Sequence, residues 1–416
     1  ELHIKSISTY VERIPGRIRP IIAWAPVIAC LLAAAALLCF QLGADAPPDA
    51  SRSAGLHFDA PSKCHNARNL ILFDQWVVDE WTPFIHSPVQ TLAQALVFSL
   101  AGPGTVQMRS TSVLASLLSL LLIFLLVRRD FGYGIALLVL AAFTFNADFW
   151  VYGRSGLLEP MVMLGMLATT WALRNGYDSA EDNPSGVAPF FWFAAVAALA
   201  MATLLAKVIS VYFLISVAAV ACVCPPKRKA VLVALFGVFA ALLLLYLGPF
   251  MQINAPYFER ESSYWADRAG SSDHLRLWLT QPIFYTMRHT SVLTQLGAVA
   301  IIWAFFGLRD KTERRRRVVT AVMALTFILG SQFLSVVSYR PQRYYVPLFV
   351  PISILSACSI DHLFRLCRDR IEVPRINAAK IIAALAVLTF VLTLSPLAPI
   401  RLLDRHVDAF AFSPHE

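Results

Sequence analysis

The stretch VQMRSTSVLASLLSLLLIFLLVRR, Val106–Arg129, decides the fold class. Its apolar run between Arg109 and Arg128 is long enough to cross a bilayer core of roughly 30 Å as one helix. Similar blocks recur along the 416 residues, of which 58% are hydrophobic and only 15% are charged. Soluble domains carry more charge and show amphipathic periodicity. The composition therefore predicts an all-α polytopic membrane protein.

The hydropathy pattern predicts about 11 transmembrane helices. They are expected near residues 20–40, 109–127, 132–148, 157–173, 188–205, 207–224, 229–249, 290–308, 318–338, 344–364 and 378–396. Segment 88–101 is apolar but too short to span, so we expect an interfacial or re-entrant helix there. The pattern favours a single transmembrane domain over 1–416, with a first external loop at 41–108 and a second large one at 250–290.

Lysine and arginine predict the orientation of these helices. With a cytoplasmic N-terminus, the inner segments hold most of the 35 basic residues, and the short loops KTERRRR and PPKRK would be hard to translocate. We therefore expect the protein in the cytoplasmic (inner) membrane. The net charge of +9 then reflects the orientation of the helices, with basic loops facing an anionic inner leaflet. The bases are spread over several loops without a binding motif, which argues against nucleic acid as a partner. The polar, aromatic segments lie outside, where we expect any chemistry.

The first external loop contains HFDAPSKCHNARNLILFDQWVVDEWTPFIHSP, His57–Pro88. Residues 61–73 of it are typical of a short helix, with Pro61 in the first turn and an apolar side on the membrane surface. Asp59 at its start is either a helix N-cap or a functional carboxylate. A second acidic residue, Glu159, lies at the start of a predicted span, where a carboxylate costs about 2.5–3.5 kcal/mol. That cost favours a chemical role or a buried ion pair with Arg154.

Four segments together resemble a known family. DAPSKCHNARNLILFDQW is similar to the first external loop of the lipid-linked-sugar glycosyltransferases of the C superfamily, especially the aminoarabinose transferases and protein mannosyltransferases. VQMRSTSVLASLLSLLLIFLLVRR, YGRSGLLEPMVML and YRPQRYYVPLFVPISIL resemble later segments of the same enzymes. The resemblance implies transfer of a sugar from a polyprenyl phosphate to a glycan, lipid or protein acceptor at the external face. One departure is Ala60, which follows Asp59 where the family has glutamate.

The resemblance and the reaction chemistry together predict which residues form the site. A carboxylate in a partly desolvated cleft suits a general base, and fixed basic side chains suit the leaving phosphate. We expect the catalytic carboxylates to be Asp59 and Glu159. The donor phosphate-binding candidates are Lys63, Arg68, Arg154, Arg340 and Arg343, and the substrate-cavity candidates are His65, Trp76, His86, Tyr344 and Tyr345. A divalent metal beside Asp59 is an open question, because no fixed ligand spacing supports it.

These residues also have structural explanations, and the protein has alternative functions. Basic side chains at outer helix ends commonly snorkel, and the aromatic residues are typical of an interfacial belt. Because Ala60 breaks the family pattern, a non-catalytic relative serving as a subunit of a membrane complex is the alternative function. A transporter is a third class, although its charges would lie near mid-membrane rather than at one face.

Overall fold

The computed structural model describes residues 19–43, 59–77, 85, 87–226, 229–269, 314–336 and 342–370. These residues form helices and their connections, as the composition predicts. The α-helices are α1 (Arg19–Cys39), α2 (Asp59–Phe73), α3 (Pro88–Ala101), α4 (Thr105–Phe131), α5 (Tyr133–Thr144), α6 (Ala147–Gly153), α7 (Glu159–Asp182), α8 (Ala188–Ala206), α9 (Val211–Val223), α10 (Ala230–Ala269), α11 (Arg314–Val336) and α12 (Phe349–Arg370). Short 3-10 helices, Val208–Ser210 and Gln342–Leu348, precede α9 and α12.

Three helical segments in the described ranges are long and apolar enough to cross a membrane: Thr105–Phe131, Ala188–Ala206 and Arg343–Asp361. Five shorter apolar helices accompany them, at Trp24–Cys39, Pro88–Ala101, Tyr133–Thr144, Val208–Val223 and Ala230–Tyr246. The protein is therefore an integral membrane protein. The expected count of about 11 spans is not established, and the predicted spans at 290–308 and 378–396 lie outside the described residues.

Two short helices of the segment 41–108 appear where the sequence predicts them. Helix α3 has the predicted bounds, because Ser87 caps its start, Pro88 occupies the first turn and Gly102 ends it with a φ of 77°. Helix α2 begins at Asp59, two residues earlier than expected, and ends at Phe73 as predicted. Leu72 and Phe73, at its last turn, are exposed, which agrees with the predicted apolar surface.

Helices α7 and α8 form a close antiparallel pair that positions the candidate site. A Cβ at Gly165 of α7 would lie 2.3 Å from Thr203 Oγ1 and 3.0 Å from Thr203 Cβ of α8, so only glycine permits this approach. Small residues bring membrane helices together in this way. Gly165 is six residues after the start of α7, and Thr203 is three residues before the end of α8. The close contact thus brings the first residue of α7 near the residue that follows α8.

Ion pairs join the C-terminal parts of α4 and α7. Arg174 Nε lies 3.1 Å from Asp130 Oδ1, and Asp178 contacts both Arg174 and Arg129. Arg316 of α11 pairs with Asp361 of α12 and lies 4.2 Å from the centre of the Phe131 ring. The sequence pattern uses these bases only to predict the orientation of the helices. Their pairing with acids shows that several of them also join helices.

Candidate functional site

Glu159 is the centre of the candidate site. It is the first residue of α7 and only 1% exposed, and it lies where backbone N–H groups and the helix dipole favour a negative charge. Its carboxylate forms an ion pair with the Lys207 ammonium group, and Arg343 Nε is 3.8 Å from the same oxygen, Oε1. One buried carboxylate therefore faces two cations.

Lys207 occupies a break between two apolar helices. Helix α8 ends at Ala206, and Lys207 is extended, with a φ of −163° and a ψ of 121°, before the chain turns into Val208–Ser210 and α9. The Ser210 hydroxyl donates a hydrogen bond of 3.0 Å to the Thr203 carbonyl, which also accepts one of 3.3 Å from the Lys207 backbone N–H, so both bonds hold the end of α8. The break points the lysine side chain towards Glu159 instead of into lipid.

Arg343 reaches the same carboxylate from a third direction. It lies in the first turn of the helix Gln342–Leu348, and it is 7% exposed. Its guanidinium carbon lies 5.4 Å from the centre of the Tyr344 ring, and Lys207 Nζ lies 4.0 Å from the same centre. Tyr344 thus contacts both cations, an arrangement favoured by the negative face of an aromatic ring.

The cluster Glu159, Lys207, Arg343 and Tyr344 is hereafter the cation cluster. Two positive charges and one negative charge leave it with an excess of one positive charge. Because the cluster is largely removed from water, that excess charge is weakly screened. Such a cluster can attract a phosphate group, with lysine as a point charge and arginine as a planar fork.

The cation cluster contains three residues that the sequence predicts as site residues and one that it does not. Glu159, Arg343 and Tyr344 were candidates, and Tyr345 next to them is 7% exposed. Lys207 appeared in the sequence only as the boundary of two predicted spans. Its signal was nevertheless present, because a lysine between the apolar runs AMATLLA and VISVYFL is costly in a membrane unless it has a partner.

Arg154 is not the partner of Glu159, which corrects the ion pair that the sequence favours. Its guanidinium donates to the Phe40 carbonyl at the end of α1 and lies 5.7 Å from the centre of the Trp150 ring. Arg109 reaches the same end of α1, where its Nη1 donates to the Leu42 carbonyl at 2.8 Å. Burial first, and the neighbouring charge of Arg109 second, lower the pKa of Arg154.

The candidates of the predicted first external loop lie on α2 and just after it. Asp59 is the first residue of α2, and Lys63 and His65 are half-buried along the helix. Arg68 donates to Asn69 Oδ1 at 2.8 Å through Nη2 and at 3.2 Å through Nε. The Trp76 carbonyl accepts a hydrogen bond of 2.9 Å from Asn66 Nδ2, which folds the following segment back on α2. His86 and Arg340 lie outside the described residues.

The described ranges contain no group of three His, Cys, Asp or Glu residues that could hold a metal ion. Glu159 is also poorly suited to a divalent cation, because Lys207 and Arg343 already neutralise its charge. The donor set of the described part therefore does not fit a metal site, and no step below depends on one.

The fold is similar to that of two kinds of solved structure, ArnT and an archaeal oligosaccharyltransferase. ArnT from Cupriavidus metallidurans bound to undecaprenyl phosphate is similar with a TM-score of 0.53 and 15% identity, over 91% of this chain and 74% of that one. The oligosaccharyltransferase of Archaeoglobus fulgidus in the apo form gives a TM-score of 0.61 and 13% identity, over 94% of this chain and 57% of that one.

A further structure of that archaeal enzyme, AglB, in complex with an inhibitory peptide and a dolichol-phosphate, gives a TM-score of 0.57 and 12% identity. It is matched over 95% of this chain and 57% of its own, so this chain spans little more than half of the archaeal enzyme. No protein-family model matches the sequence. No curated protein matches it by sequence either.

Proposed function

We propose that the protein is a glycosyltransferase that moves a sugar from a polyprenyl-phosphate donor to an acceptor at the external face of the membrane. The observation that carries the proposal is the cation cluster, in which Lys207 and Arg343 both face the buried carboxylate of Glu159. An anion that approaches both cations would be attracted by the excess positive charge. The donor phosphate is such an anion.

The fold neighbours support the lipid part of the donor. ArnT was solved with undecaprenyl phosphate and AglB with a dolichol-phosphate, and both share the helical arrangement of this chain. A polyprenyl tail stays in the bilayer while its head group reaches the interface, which suits a site at the ends of apolar helices. We place that site on the external side of the inner membrane, with a cytoplasmic N-terminus, because the basic loops favour this orientation.

In the proposed reaction, Asp59 is the general base. The acceptor hydroxyl gives its proton to the Asp59 carboxylate while its oxygen forms a bond with the anomeric carbon. The bond from that carbon to the phosphate oxygen breaks, and polyprenyl phosphate leaves with the electron pair. Lys207 and Arg343 stabilise the charge that develops on this phosphate, and the configuration at the anomeric carbon inverts.

Glu159 has a different role in this proposal from that of Asp59. Because it faces two cations, it orients their side chains toward one point and reduces their mutual repulsion. Lys63, Arg68, Arg154 and Arg340 are the additional phosphate contacts that we propose from the sequence, and His65, Trp76, His86 and Tyr345 line the sugar-binding part of the cavity. We also propose a single domain over 1–416, with external segments at 41–108 and 250–290, that carries these residues.

The test is turnover by the purified protein in liposomes. A panel of polyprenyl-phosphate sugars is offered with an extract of envelope acceptors, and release of polyprenyl phosphate is measured. Asp59→Asn should lower turnover by roughly 10²–10⁴, the range for loss of a general base. Asp79→Asn, in the acidic pair Asp79-Glu80 that lies 20 residues further along the same segment, is the matched control and should have a much smaller effect. Equal losses would contradict the assignment of Asp59, and binding without turnover by any donor would favour the non-catalytic alternative.

A further inference from the structure

We propose that Ser87 and Asn254 are positioning residues that hold the backbone before Lys207 and so direct its side chain to Glu159. The inference rests on the proposed function, because it concerns the phosphate-binding role of Lys207. It concerns two residues that neither the sequence pattern nor the reaction chemistry singled out. Both are buried, with exposures of 1% each.

Ser87 joins the start of α3 to the end of α8. Its hydroxyl donates to the Ala206 carbonyl at 2.8 Å and lies 3.3 Å from the Leu205 carbonyl, while accepting a hydrogen bond of 3.4 Å from the Gln90 backbone N–H. The Leu205 and Ala206 carbonyls belong to the last turn of a helix, where no intrahelical donor is available. One serine therefore caps α3 and satisfies the end of α8.

Asn254 fixes the same short segment from the other side. Its Oδ1 accepts a hydrogen bond of 3.0 Å from the Ile85 N–H, and its Nδ2 donates one of 3.1 Å to the Ile85 carbonyl. Both backbone groups of Ile85 are thus paired with one side chain from α10, 169 positions away in the chain. The residues on either side of His86 are consequently anchored to two different helices.

These bonds bear directly on Lys207. The Ala206 carbonyl, which Ser87 binds, and the backbone nitrogen of Lys207 belong to the same peptide bond. The Ser87 hydroxyl therefore restrains the orientation of the peptide plane that leads into Lys207. A lysine side chain has four rotatable bonds and loses much rotamer freedom when it is held in one place. A fixed starting peptide lowers that loss, which favours the pair with Glu159 and keeps the ammonium group ready for an anion.

The restraint of Lys207 by Ser87 and Asn254, hereafter the clamp, predicts that the effects of substitutions at Ser87 and Lys207 are coupled. Ser87→Ala should weaken binding of polyprenyl phosphate about 5–10-fold in the wild-type background. It should have almost no effect in a Lys207→Met background, because the lysine that it positions is gone. Ser87→Thr keeps the hydroxyl and should restore most of the affinity. Ser99→Ala is the matched control, since the Ser99 hydroxyl on the same helix is exposed and bonds only to the nearby Leu96 carbonyl.

A second measurement reports on the clamp without using the lipid. The rate at which an amine-reactive ester acylates Lys207, followed by mass spectrometry, should rise about 5-fold in Ser87→Ala and in Asn254→Ala. Asn183→Ala, on an exposed helix end, should leave the rate unchanged. The melting temperature of each variant shows that it is folded, and Asn254→Ala carries the test if Ser87→Ala is not folded.

The two readouts separate the clamp from the function. If acylation rises as expected but the wild type binds no polyprenyl phosphate, the clamp stands and the proposed function fails. If the wild type binds the lipid but acylation is unchanged, the clamp is wrong. An equal loss of affinity from Ser87→Ala with and without Lys207 would also overturn it, because that result would show only a general effect on the fold.

Discussion

The ion pair between Lys207 and Glu159 gives the sharpest prediction of stability. Glu159 is 1% exposed and the Lys207 side chain 15%, so Lys207→Met leaves a buried carboxylate whose remaining cation, Arg343, lies 3.8 Å away. Removal of one partner of a buried pair costs about 3–5 kcal/mol, and Arg343 offsets part of that cost, so we expect a loss of about 2–4 kcal/mol. Glu159→Gln should also destabilise, because it leaves two neighbouring cations without their carboxylate.

The double-mutant cycle turns this expectation into a measurement of the pair itself. The free energy of unfolding is measured in mixed dodecylmaltoside–SDS micelles by circular dichroism for both single variants and the double variant. The sum of the single losses should exceed the loss in the double variant by about 2 kcal/mol, within the range found for contacting residues. Lys229→Met, which removes an exposed lysine, is the control. Additive losses within about 0.5 kcal/mol would refute the reasoning.

Three further predictions use other parts of the structure. Gly165→Ala should lower stability by about 1–3 kcal/mol in the same micelle assay, because the new Cβ overlaps Thr203, and a second change, Thr203→Ala, should recover part of the loss. Burial raises the pKa of the Cys64 thiol to about 11, so its reaction with an impermeant maleimide should be slow at pH 8 and rise as the pH approaches that value. In the same assay the exposed Gln75→Cys should react readily from outside the cell. Arg343→Lys should lower turnover at least about tenfold, roughly 1.4 kcal/mol, because an ammonium group cannot replace the planar fork.

The sequence predicts α3 and α4 because the signals for these helices are local. Ser87, Pro88 and Gly102 mark the ends of α3 within the chain itself, and the bounds of α3 agree with them. The apolar run after Arg109 likewise predicts α4. Helix formation depends on residues a few positions apart, and those are visible in a linear pattern.

The cationic partners of Glu159 are distant from it in the chain, and the sequence does not predict them. Arg154 is five residues from Glu159 and is the obvious choice of partner, yet the turn between α6 and α7 directs it to the Phe40 carbonyl. The actual partners, Lys207 and Arg343, come from two other helical segments. The packing of α7 against α8, with its close contact at Gly165, brings Lys207 to Glu159, and the segment Gln342–Leu348 adds Arg343.

The most direct test of the central claim is the binding of polyprenyl phosphate to the purified protein, measured by native mass spectrometry against a background of zwitterionic phospholipid. We expect one tightly bound molecule per wild-type chain. The double variant Lys207→Met, Arg343→Met removes two charged contacts, each of which contributes about 1.5 kcal/mol or more, so its affinity should fall at least about 100-fold. Unchanged affinity in a folded double variant would contradict the assignment of the cation cluster to the donor phosphate.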